Sequence, residues 1–179
     1  MPATRTEVAR DEKVAEIVEA AKRRLLAGGF DELSMAGVAR DVGVRQNAVY
    51  WYFPSRADLF VAALRRIVHD IGARKPRDRR DVVERALWFC DQSAPLQELL
   101  PAIREQARES EVVAAFARDL DALLDRMLGN LFRGRVADAD LPHAVASFRA
   151  TVVGAYAQGL SRRERRRLLT YTLERLLGR

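Results

Sequence analysis

"VGVRQNAVYWYFPSRADLF", residues 42–60, is the most informative stretch of this chain. Tyr50, Trp51 and Tyr52 stand in a row beside Arg45, Gln46 and Asn47, and Phe53 and Pro54 follow. Pro54 disfavours helical dihedrals at Phe53, so a helix running from about Arg45 ends there. At about 100° per residue, Val49 and Phe53 fall one turn apart and pack inward with Val44 from the preceding turn. Gln46 and Tyr50 form another row, with Asn47 and Trp51 beside it, and both rows face away from the inward pair. The helix therefore has a dry side and a side of amides and aromatics. It is either a core segment with an untidy edge or a surface built to touch something flat, polar and charged.

On the N-terminal side, a first helix starts near Glu12 and carries Val14, Ile17, Val18, Ala21 and Leu25 at helical spacing. "AGGF" (27–30) ends it. Ser34 reads as the N-cap of a second, short helix near Met35 to Val42, with Leu33 and Val38 as a hydrophobic staple, and Gly43 breaks that helix. Downstream, Ser55 with Asp58 caps a fourth helix bearing Leu59, Phe60, Ala63, Leu64, Ile67 and Val68. It fades at "GARKPRDRR" (72–80), a charged junction between two domains. Two short helices joined at a glycine, the second rich in amides and aromatics, form the pattern of a helix-turn-helix. Gln46 and Asn47 suit paired hydrogen bonds to adenine edges, and Arg45 suits guanine. Tyr50, Trp51 and Tyr52 suit phosphates, sugars and thymine methyls. Ser34 opens a helix whose free amides suit a phosphate, and Arg56 offers another charge for one. The competing reading is a plain helical bundle with the aromatics as core and Arg45 as a solvated charge. Residue by residue that reading is the default; the glycine turn, the spacing and the Pro–Ser cap together favour the DNA reader.

The totals agree. The chain has 179 residues, 49% hydrophobic and 31% charged, which describes a folded chain of one or two domains. Ala, Leu, Arg and Glu outnumber Val, Ile and Thr, favouring helices over strands. Net charge is +6, but residues 1–56 hold nine Lys/Arg against eight Asp/Glu, a net of only +1. Placement of arginine, and not bulk charge, must therefore hold any nucleic acid. The single cysteine, Cys90, excludes an intramolecular disulfide and fits a reducing compartment. With no secretory h-region and no membrane-length apolar run, the expected location is the cytoplasm.

From Ile17 to about Leu64 the sequence resembles the tetracycline-repressor (TetR) family of transcriptional regulators, on "IVEAAKRRLLAGGF", "SMAGVARDVGV" and "AVYWYFPSRADLF". The resemblance implies that Arg45, Gln46, Asn47, Tyr50 and Trp51 meet double-stranded DNA, with Tyr52 nearby. Two positions depart from the family pattern. Arg56 stands where the family usually has lysine. Gly37 sits inside the second helix, where a better helix former is usual, and loosens it by about 1 kcal/mol relative to alanine.

The family's larger domain binds a small molecule and carries the dimer interface, so both roles are expected of the remaining helices. In "LPHAVASFRATVVGAYAQGL" (141–160), Leu141, Val145, Phe148, Val152 and Tyr156 form one stripe, and Ala146, Ala150, Gly154 and Ala157 a second of small residues. The last helix offers Leu169, Leu173 and Leu176. Paired with a second copy, these two helices form a four-helix interface, with Ala150, Gly154, Ala157, Leu169, Leu173 and Leu176 in it. The alternative is that both helices pack only within their own domain. Trp88, Phe89, Phe116, Met127, Phe148 and Tyr156 are candidates for an apolar ligand pocket, or equally for core.

The expectation is an all-α chain: a helix-turn-helix domain over 1–56, a connecting helix and basic junction over 57–80, and an effector-binding and dimerisation domain over 81–179. It acts as a homodimeric, ligand-responsive repressor on a near-palindromic operator, with no cofactor, metal or catalytic residue. No Gly-rich phosphate loop, HExxH or GxSxG motif supports an enzyme. Membrane-surface binding by the fourth helix is a weaker reading, because the same face must cover the reading domain. The rival function is a helical interaction module whose helix-turn-helix does not bind DNA.

Overall fold

A left-handed glycine and a handful of caps divide this sequence into helices. The computed structural model describes residues 5–74 and 81–178, and the basic junction at 75–80 lies outside them. Among the described residues the regular structure is all helical: α1 (Arg5–Glu32), α2 (Met35–Asp41), α3 (Gln46–Tyr52), α4 (Arg56–Ala73), α5 (Val82–Gln92), α6 (Ala94–Gln106), α7 (Glu111–Phe132), α8 (Leu141–Ala157) and α9 (Arg162–Leu176), with a 3-10 turn at Asp138–Asp140. The chain is all-α, with an N-terminal helix-turn-helix.

One boundary differs from the sequence expectation. α1 begins at Arg5 rather than near Glu12, because no Gly or Pro interrupts 5–11 and polar helix formers carry no apolar period to mark the start. Pro101 lies inside α6. Leu96, Leu99 and Ile103 are buried on either side of it, and their burial offsets the interior-proline cost of about 3 kcal/mol. Within α1 the dihedrals leave the helical region at Gly28 and Gly29, where "AGGF" was expected to end the helix.

The chain divides into two compact units, Met1–Ala73 with Leu99–Ala117, and Arg74–Glu98 with Arg118–Arg179. In the first, α1 packs on α4 and on α2, and α2 on α3. Ile17, Ala21, Leu25, Leu33, Val38, Val49, Leu59, Phe60 and Leu64 are buried there. Salt bridges surround this core: Lys22 and Arg66 on α1 and α4 pair with Glu19 and Asp70, and Arg24 grips Asp41 with two hydrogen bonds of 2.7 and 2.9 Å.

In the second unit α8 and α9 pack together and α9 packs on α5. Its core holds Val83, Leu87, Cys90, Phe132, Val145, Phe148, Val152, Leu169 and Leu173. Asp91 accepts from Arg162 and Arg166 and ties α5 to α9, while Arg149 on α8 pairs with Asp121 and Asp125 on α7. A capping box between Ser161 and Glu164 starts α9.

Candidate nucleic-acid interface

Gly43 makes the turn of the helix-turn-helix. Its φ of +67° favours glycine. Gly43 N–H donates to Arg40 C=O and Val44 N–H to Ala39 C=O, the paired bonds of a Schellman motif. The chain thus leaves α2 and enters α3 with its last carbonyls satisfied. Ser34 caps the other end of α2, its Oγ accepting from Gly37 N–H at 3.0 Å.

α3 is two-sided. Val49 is fully buried and Phe53 nearly so. On the other side Arg45, Gln46, Asn47, Tyr50 and Trp51 are all exposed, Trp51 by 68%. Tyr50 and Trp51 are neighbouring exposed aromatics, and contiguous exposed apolar surface marks a binding face where isolated side chains do not. Among the described residues, no hydrogen bond or ion pair holds the side chains of Arg45, Gln46 or Asn47. By contrast Lys22, Arg24 and Arg66 are neutralised by carboxylates. Among the described residues, Arg45 is thus an exposed cation with no carboxylate partner. Tyr52 is half-buried and meets the Trp51 ring edge-on, centroids 4.9 Å apart.

Arg56 is placed differently from the phosphate contact expected of it. Its Nε–H donates to Leu33 C=O and its Nη2–H to Phe30 C=O, and the guanidinium lies over the Phe30 ring. These contacts hold the side chain within the unit: Arg56 supplies a donor to the Leu33 carbonyl and a second donor to the Phe30 carbonyl, which also accepts from Leu33 N–H.

Two features had no local signal in the sequence. Arg10 of α1 stands over the Trp51 ring, its Cζ 5.2 Å from the centroid. Gly37 is the floor for Arg24: a Cβ there would lie 2.6 Å from Arg24 Nη1 and 2.7 Å from Ser34 Oγ. A side chain at Gly37 would therefore make the Arg24 guanidinium and the Ser34 hydroxyl shift, where the sequence suggested only a loosened helix.

Residues 17–63 match the family model described as bacterial regulatory proteins, tetR family. The match covers the helix-turn-helix segment, about a quarter of the chain. The chain is 37% identical over 75 residues to the HTH-type transcriptional regulator Rv1816 of Mycobacterium tuberculosis, a match spanning 42% of this chain and 32% of that protein. The chain thus covers about a third of that curated relative's length. In fold it is similar to a crystal structure of a transcriptional regulator from Rhodococcus, with a TM-score of 0.75, 20% identity, and coverage of 92% of this chain and 96% of that one. BioQ with its double-stranded DNA operator superposes with a TM-score of 0.61 at 24% identity, covering 93% of this chain and 98% of that one.

In the second unit the candidate residues separate. Ala150 and Ala157 are exposed on α8, with Gly154 and Leu176 half-buried. Leu169 and Leu173, expected at a dimer interface, are instead 3% and 0% exposed in their own unit's core. The register decides this: they are the α9 positions that pack into the core shared with α5 and α8. Tyr171, between them in sequence, is the large side chain exposed on α9.

The six pocket candidates occupy different environments. Phe116 belongs to the first unit, Phe148 is core, packed edge-on against Phe132 at 6.0 Å, and Met127 is exposed. Trp88 and Phe89 are half-buried on α5. Tyr156 stacks against Arg165, 4.2 Å from ring centroid to Cζ. An open groove of about 420 Å³ in the second unit includes none of the six; Arg135, Asp140, His143, Ser147 and Arg175 are among its lining. Cys90 is core, and burial pushes its thiol up to about 12, so it is no nucleophile at neutral pH. No helix among the described residues is long and apolar enough to cross a membrane.

Proposed function

We propose that this protein is a sequence-specific, double-stranded-DNA-binding transcriptional regulator. The observation that carries the reading is the exposed face of α3, where Gln46, Asn47, Tyr50 and Trp51 face away from a helix whose other side buries Val49. The finer reading is a cytoplasmic homodimeric repressor, and its support is the match of residues 17–63 to the tetR family model. Two copies of α3 enter successive major grooves about 34–36 Å apart, so the operator is a near-palindrome. The α8 stripe of Ala150, Gly154 and Ala157 is the proposed contact between copies, since small side chains let helices approach closely. An unknown small-molecule effector is proposed to act through the second unit by binding one of two states more tightly.

Gln46 and Asn47 are assigned to base edges, Arg45 to a guanine or a phosphate, Tyr50 and Trp51 to phosphate, sugar or thymine methyl, with Tyr52 supporting Trp51. Ser34 acts through the α2 cap and Arg56 through the turn it holds.

The test is selection of bound sites by the purified protein from a random duplex library. An enriched inverted repeat is expected, and Gln46→Ala should relax the preference at one position of each half-site, by about 1–3 kcal/mol of discrimination. Failure to enrich any sequence at low salt would move the assignment to a helical interaction module.

A further inference from the structure

We propose that Arg10 is a backbone-phosphate contact of the DNA-binding face, held in position by the indole of Trp51. The inference rests on the DNA-reading assignment above and extends the face from α3 onto α1. Arg10 is exposed, its Cζ lies 5.2 Å from the Trp51 centroid, and Trp51 is itself 68% exposed. Tyr52 meets Trp51 edge-on, so the indole is supported by its neighbour while it carries the arginine.

A guanidinium resting over an aromatic ring uses its planar face for the attraction, and its in-plane N–H donors stay available. Among the described residues no carboxylate or carbonyl takes the Arg10 donors. Lys13, one turn further along α1, shows the contrast, for it donates to Glu16. A forked, exposed donor set with no acceptor among the described residues matches an oxyanion, and duplex DNA presents one at every nucleotide beside the groove that α3 would enter. Arg10 comes from α1 and not from the helix bearing Gln46 and Asn47. It therefore adds affinity without sequence preference, which is the role of a backbone contact.

The experiment titrates salt against binding of the full-length protein to a labelled random-sequence duplex of about 30 base pairs, long enough for two successive grooves. Wild type, Arg10→Ala, Arg10→Gln and Arg10→Lys are compared, each with its melting temperature as a control on folding. For Arg10→Ala and Arg10→Gln we expect roughly tenfold weaker binding at low salt and a shallower dependence of log affinity on log salt, its slope smaller by about 0.9 for each phosphate that is no longer neutralised. Arg10→Lys should keep the slope and bind somewhat more weakly, because it retains charge without the fork. If wild type binds and neither neutral variant changes the slope, the Arg10 assignment is overturned while the DNA reading stands. If wild type fails to bind at low salt, the DNA reading is overturned and Arg10 with it.

Discussion

The guanidinium of Arg56 lies against the ring of Phe30, with Cζ 3.9 Å from the ring centroid. The same group donates to the carbonyls of Phe30 and Leu33, and the Phe30 ring meets Phe60 edge-on at 4.8 Å. One side chain from the first turn of α4 therefore closes the end of α1 and fixes the approach to α2. Arg56→Ala leaves two carbonyls and a ring face without this partner. We expect a loss of about 2 kcal/mol in stability, read as a lower melting temperature. Arg56→Lys should fall between the two, since it keeps charge but not the fork. An unchanged melting temperature for Arg56→Ala would refute the clamp.

Gly37→Ala tests the floor beneath Arg24. Helix propensity alone favours alanine by about 1 kcal/mol. The added methyl would sit 2.6 Å from Arg24 Nη1 and 2.7 Å from the Oγ that caps α2, so the guanidinium and the capping hydroxyl must both shift, which strains the cap and the Arg24–Asp41 pair. We expect a net fall in melting temperature. In an Arg24→Ala background the same change should cost less, and a double-mutant cycle measures the difference. Additive effects would mean that the two residues do not compete for space.

Acid should weaken the first unit before it affects the fold by general charge. The hydrogen bond from Arg24 holds the Asp41 carboxyl below its ordinary value, and the hydrogen bond from Lys22 does the same for Asp70, each against some burial. A carboxyl with a depressed folded-state value stabilises above its unfolded value of about 3.9, and that stabilisation is lost as pH falls through the folded value. Melts at neutral pH and near pH 3 should therefore diverge for wild type and diverge less for Asp41→Asn. Equal divergence in the two proteins would count against this account.

Leu173 and Ala150 should separate stability from assembly. Leu173 is fully buried in its own unit, so Leu173→Ala should cost about 2–5 kcal/mol in a thermal melt. Ala150 is exposed on α8, and Ala150→Glu should change the oligomeric state by light scattering with little change in the isolated chain's fold. A dimer that persists in Ala150→Glu would remove the small-residue stripe from the interface.

Local rules account for much of this protein. The α2 cap at Ser34, the glycine turn at Gly43, the end of α3 before Pro54 and the two faces of α3 are all legible in the sequence, because each depends on residues within a turn or two of one another. Periodicity likewise places α7 over Glu111–Phe132. Where the answer depends on a residue distant in sequence, local pattern is silent. Arg56 reads as a surface charge until Phe30 and Leu33 are brought beside it, and Gly37 reads as a weak helix position until Arg24 lies across it. Leu169 and Leu173 share a leucine-rich helix with outward-facing neighbours, and only its rotation against α5 and α8 makes them core. Which segments are helical and which side of α3 is dry follow from backbone sterics and side-chain spacing, and both are written in the order of the residues. Which arginines are clamps, which are free cations and which stripe is left uncovered emerge only on folding, because charge and apolar surface acquire those roles from what packs against them.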